Sequence, residues 1–95
     1  MSARAGQLFA RGEFRAAHEL WEEAWRAAAP GAERLRLRAL AQAAAACLHA
    51  ERGNAKGARS LAARALEALE SAPVAGGARA PRELLARLRQ LAGRS

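Results

Sequence analysis

Ninety-five residues carrying a formal charge of +7 make room for one domain, spanning 1–95, with a modest core. Alanine and leucine dominate a hydrophobic content of 52%, with no isoleucine, tyrosine or aspartate and a single valine, Val74. Strands draw on the β-branched and aromatic residues missing here, whereas alanine and leucine favour helix, so the composition argues against a sheet and predicts an all-α fold.

Taken in chain order, residues 2–11 form a first short helix with Ala5, Leu8 and Phe9 on one face, and Gly12 breaks it. The second helix, Glu13 to Ala29, places Phe14, Ala17, His18, Trp21, Trp25 and Ala28 at i, i+3, i+4, i+7, i+11 and i+14, the inner stripe of an amphipathic helix. Phe9, Phe14, Trp21 and Trp25 are the expected core aromatics. Arg15, Glu19, Glu23 and Arg26 lie on its far side, Arg15–Glu19 and Glu22–Arg26 are candidate i,i+4 ion pairs, and Pro30-Gly31 ends it.

The third helix, Ala32 to Arg52, is the longest. Leu37, Leu40, Ala41, Ala44 and Leu48 form one stripe, and Leu35, Ala39, Gln42, Ala46 and His49 form another. Alanine on nearly every side predicts close packing on more than one face, so this helix belongs at the centre. Gly53-Asn54 stops it. A fourth helix, Ala55 to Ser71, turns Ala58, Leu61, Ala62, Ala65, Leu66 and Leu69 inward. Residues 72–80 are a flexible loop by composition, and Pro81 suits the first turn of a last helix striped by Leu84, Leu85, Leu88 and Leu91. That helix packs either on the same core or on a second subunit.

The chain also repeats itself. Leu8 to Ala17 can be laid over His49 to Ala58, with Gly12 over Gly53, and both segments read as helix, glycine corner and a helix opened by a small residue. Tetratricopeptide-type hairpins have the same plan, and two copies predict stacked helical hairpins rather than a solenoid. The expected architecture is a compact bundle of about five helices, two stacked hairpins and a short C-terminal helix.

Cys47 is the lone cysteine, which removes an intramolecular disulfide and points to a reducing cytoplasm. Ala43 to Leu48 is the longest apolar run, too short for a membrane span, so no membrane partner is expected. The charge would suit nucleic acid, but the arginines are scattered among glutamates without a basic run or interleaved aromatics.

His18 is the odd residue of its stripe, and Glu22 lies one turn further on the same edge. Gln42 and His49 are two turns apart on one face of the third helix. If that face meets the second helix, His18, Glu22, Gln42 and His49 form one polar cluster. Such a cluster serves either as structural hydrogen bonding within a forgiving alanine core or as a metal or acid–base site. His18-Glu19-Leu20-Trp21-Glu22 is not the zincin pattern, which needs histidine where Glu22 stands. No cofactor is expected, and His18, Glu22 and His49 are the residues on which a metal would depend. There is no glycine-rich phosphate loop, no CxxC and no Ser-His-Asp set.

The string Phe9-x-x-Gly12-Glu13-Phe14-x-x-Ala17-His18-Glu19-x-x-Glu22-x-x-Trp25 resembles the small all-helical bacterial and archaeal family catalogued as domain of unknown function 309. The likeness continues through Gln42 and His49-x-x-Arg52-Gly53-Asn54-x-x-Gly57-Ala58, and the sequence departs from the family pattern at Arg38 and Ala39. What the resemblance implies is a compact helical bundle, no assigned activity, and Gly12, Glu13, His18, Glu19, Glu22, Gln42 and His49 as a site of unspecified role.

Together these observations describe a non-enzymatic interaction or scaffold module with a structural His/Glu cluster, its partner an unidentified protein or a second copy of itself. The alternative is a metal-dependent or acid–base enzyme using His18, Glu22 and His49, and the second alternative is a nucleic-acid-binding module.

Overall fold

A computed structural model describes residues 2–71 and 82–93. Its elements are α1 (Ser2–Ala10), α2 (Phe14–Ala27), α3 (Ala32–Glu51), α4 (Ala55–Ser71) and α5 (Arg82–Leu91). Among the described residues there is no strand, as expected of an alanine- and leucine-rich chain. Residues 72–80 and Pro81, expected to form a loop and the first turn of the last helix, lie outside the described residues.

α3 is the hub, packed against α2, α4 and α5. Eight of its side chains, from Leu37 to Cys47, are buried and point in several directions. Alanine makes this possible, because a methyl lets neighbouring helices approach closely and each approach removes apolar surface from water. The core runs from Ala5, Leu8 and Phe9 of α1 through Phe14, Ala17 and Trp21 of α2 to Ala62, Ala65 and Leu66 of α4. Leu84 and Leu88 of α5 are buried in the same cluster, which settles where the last helix packs. One member of the expected stripes on α3 departs from the rule. Leu35 lies near the start of that helix and is 63% exposed.

The internal repeat is real at the level of the backbone. After α1, the Glu13 N–H donates to the Leu8 carbonyl and the Gly12 N–H to that of Phe9; after α3, Asn54 donates to His49 and Gly53 to Ala50. Both sets are the paired 6→1 and 5→2 bonds of a Schellman corner. Gly12 and Gly53 sit at φ 82 and φ 80, the left-handed region that a side chain disfavours. Each corner leads into a helix whose early alanine, Ala17 or Ala58, is buried. Arg11 and Arg52 are cap residues as a result, so α1 and α3 each stop one residue short of the sequence expectation.

α2 also ends early. Ala28 is extended (φ −77, ψ 142), and Ala29 precedes Pro30, a position that disfavours helix. Arg34 closes this corner by donating from Nη1 to the Ala28 carbonyl at 3.1 Å while its guanidinium lies 5.4 Å from the centre of the Trp25 ring.

Candidate functional site

The residues singled out in the sequence fall in three places. The first is the Gly12 corner. Phe9 and Phe14 meet edge to face across it with ring centres 5.1 Å apart, and Trp21 packs 6.0 Å from Phe9. On its outer side a cavity of about 430 Å³ is lined by Gly12, Glu13, Phe14, Arg15 and Glu19, with Leu48, Glu51 and Arg52 closing it from the end of α3. Its charges are mixed, three carboxylates facing two guanidiniums.

The second is the edge of α2. His18 and Glu22 are both half-buried. The expected hydrogen bond between them is not made among the described residues; Glu22 instead lies 3.4 Å from Arg26, one turn on. That pair is one of the two expected on α2, and the other, Arg15–Glu19, is not within ion-pair distance. Trp25, expected in the core, is only half-buried at its rim, with Arg34 and Arg38 over its ring. Trp21 is buried, and its indole Nε1 is closed off without an acceptor among the described residues.

The third is α3 itself. His49 pairs through Nδ1 with Asn54 Nδ2 at 3.0 Å, and Asn54 Oδ1 accepts from the Gly57 N–H at 3.0 Å. His49 is thereby part of the corner that ends its own helix, the asparagine side chain capping the next one. Gln42 lies elsewhere, in an open groove of about 660 Å³ between α3 and α4 lined by Leu35, Arg38, Ala39, Arg64, Ala68 and Ser71, with Gly31 and Ala32 at one end. No hydrogen bond joins any two of His18, Glu22, Gln42 and His49, and among the described residues no three His, Cys, Asp or Glu side chains converge as a metal-ligating group.

Burial pushes the Cys47 thiol up to about 11, against an opposing pull from the Arg87 guanidinium beside it. Burial therefore favours the protonated thiol, the weaker nucleophile of its two forms. Arg87 reaches across from α5, its guanidinium 5.5 Å from the centre of the Phe14 ring, and so ties the last helix to the Gly12 corner. At the start of α3, Arg36 grips Glu33 with two bonds of 3.0 and 3.1 Å, which hold that carboxyl below the usual glutamate range. Arg34 and Arg87 have no signal in the sequence, and Arg38 stands out there only as a departure from the family pattern. Long arginine side chains act across helices, where spacing along one helix gives no signal; only the helix-stop role of Gly53-Asn54 was open to sequence reasoning.

The family profile described as Domain of unknown function (DUF309) matches residues 3–61, well over half of the chain. The chain belongs to this family. The match takes in α1, α2, α3 and the first turns of α4, and with them both Schellman corners and the whole aromatic cluster. Curated proteins and solved structures give no match. No described helix is long and apolar enough to cross a membrane.

Proposed function

We propose that this member of the DUF309 family is a non-enzymatic interaction module, acting as one domain in the cytoplasm, that offers the α3–α4 groove to a partner protein. One observation carries the reading: Leu35 is the exposed large hydrophobic side chain among the described residues, and it lines that groove. A single exposed leucine is ordinary on a protein surface. One set in a groove opposite the half-buried Ala68 is different, because a partner side chain placed there covers apolar surface on both walls. Covering the 63% of Leu35 that is exposed supplies about 1–2 kcal/mol.

The enzyme alternative has less support. Its three residues lack a shared hydrogen bond, His49 is engaged by Asn54, and Cys47 is held protonated. The nucleic-acid alternative rests on net charge alone, and Arg26, Arg36 and Arg89 each face a carboxylate of their own chain.

Site-specific photo-cross-linking in the native host tests the reading. A photoreactive residue replacing Leu35 should yield discrete protein adducts, while one replacing the exposed Gln7 of α1 should not. Identical adducts from both positions, or none from position 35, would defeat it.

A further inference from the structure

Three cavities among the described residues differ in charge. The cavity at the Gly12 corner sets Glu13, Glu19 and Glu51 against Arg15 and Arg52. Another, of about 560 Å³ beneath α2, has Glu23 and Glu33 among otherwise apolar walls. Among the described residues, the α3–α4 groove has two ionisable side chains, Arg38 and Arg64, and no carboxylate. Neither arginine is in an ion pair among the described residues. Arg38 is also held in place, its guanidinium 5.9 Å from the centre of the Trp25 ring, so less side-chain freedom remains to be lost on binding. Of these three, the cavity with an exposed leucine is thus the one whose described lining is purely positive.

The backbone of the groove narrows its occupant further. Both walls are helices, so away from the start of α3 and the end of α4 their N–H and C=O groups in the groove are already bonded within each helix. An extended peptide laid along that stretch would find no backbone partners, and its own buried amides would stay unpaired at about 1–3 kcal/mol each. A helix brings its amides already satisfied. From Gly31 to Gln42 the α3 wall is about 16 Å long at 1.5 Å per residue, room for about three turns. A second copy of this chain would bring another charge of +7 to a positive surface, so the charge disfavours self-association.

Resting on the interaction-module reading, we propose that the groove receives a short amphipathic helix of an acidic partner protein. Its apolar side chains cover Leu35 and Ala68, and its carboxylates meet Arg38 and Arg64. This is helix-in-groove recognition, with apolar anchors at i, i+3 or i+4 and i+7, and the charge pairs give specificity and a fast approach.

The test uses the full chain and two synthetic helical peptides of about three turns, each with leucines along one face and flanked by either glutamate or glutamine. Isothermal titration should show the glutamate peptide binding, weakened about tenfold or more by glutamine, by high salt, or by a double Arg38→Gln, Arg64→Gln variant. Leu35→Glu should abolish binding of both peptides. The substituted residues are exposed, and circular dichroism checks that each variant keeps its helices. Equal binding of both peptides, lost in Leu35→Glu, would overturn the acidic partner and leave the interaction module standing. Binding of neither peptide would overturn the proposal, and the module reading would fall with it only if the cross-linking at position 35 also failed. A dimer in sedimentation that Leu35→Glu dissociates would assign the groove to a second copy and overturn the proposal too.

Discussion

Two corners forty-one residues apart turn this chain by the same backbone bonds and decorate them differently. At Gly53 the side chains finish the work. Asn54 caps α4 through the Gly57 N–H and holds His49 from the helix before. At Gly12 the equivalent residue, Glu13, makes no capping bond and lines a cavity instead. The helices that follow differ as well. Trp21 on α2 and Ala62 on α4 occupy matching places in the repeat, both buried, one filled by an indole and the other by a methyl. The lesson is that a glycine in the left-handed region, with its paired amide bonds, suffices to make the corner. The side chains around it are free to specialise, into aromatic packing on one side of the molecule and close helix approach on the other.

The largest break in this comparison comes from the indole and the methyl. Trp21→Ala should cost about 3–5 kcal/mol by cavity formation, and Ala62→Leu about 1–3 kcal/mol by overpacking. Urea denaturation followed by circular dichroism reads both, and a Trp21→Ala chain as stable as the parent would show that the aromatic cluster is not the core of the first hairpin. Next come the two glycines. A Cβ at Gly12 or Gly53 meets nothing within 4 Å, so each alanine variant suffers only the left-handed backbone, at about 1–2 kcal/mol. The two losses should be equal, and unequal losses would mean that the corners are not the same device.

The helix boundaries show what was legible in the chain and what was not. Glycine at positions 12 and 53, alanine and leucine at helical spacing, and the overlay of Leu8–Ala17 on His49–Ala58 were enough for five helices in two hairpins. Cap geometry then moved the ends by a residue or two, since Arg11, Arg52 and Ala28 look like helix formers and become caps only through bonds to residues before them. The packing partner of the last helix was open, because a leucine stripe states which face is buried but not against what. The candidate site was less legible still. His18 and Glu22 have the spacing of a bonded pair, yet Glu22 leans to Arg26. Leu35 reads as one residue of a packed stripe, and only the placement of α4 beside α3 shows it on an open groove.

Smaller effects sharpen the contrast between the corners. Asn54→Ala removes a cap and should cost about 0.5–2 kcal/mol, whereas Glu13→Ala, with no capping bond to lose, should stay within about 0.5 kcal/mol. Equal losses in thermal melts would refute the division of labour between them. The smallest effect is pH-dependent and belongs to α3, which has an acidic residue in its first turn where α2 and α4 have none. Glu33 is held below the usual glutamate range by Arg36, so its contribution is complete at pH values above that range and disappears as pH falls through the lowered value. The Glu33 carboxylate is itself about half-exposed, so the gap between parent and Glu33→Gln should be a few tenths of a kcal/mol at neutral pH, closing in acid. A gap that widened in acid would reverse the assignment.

The closed-off indole nitrogen of Trp21 has an optical consequence. An indole sealed among apolar neighbours, with no acceptor on its N–H among the described residues, should emit at short wavelength, while Trp25, half-buried under two guanidiniums, should emit as from a polar setting. The protein therefore contains two lamps of different colour, one in the aromatic core and one beside the arginine that lines the groove. Replacing either tryptophan with phenylalanine leaves the other alone to report, so that unfolding of the core and occupation of the groove can be followed separately in the same cuvette.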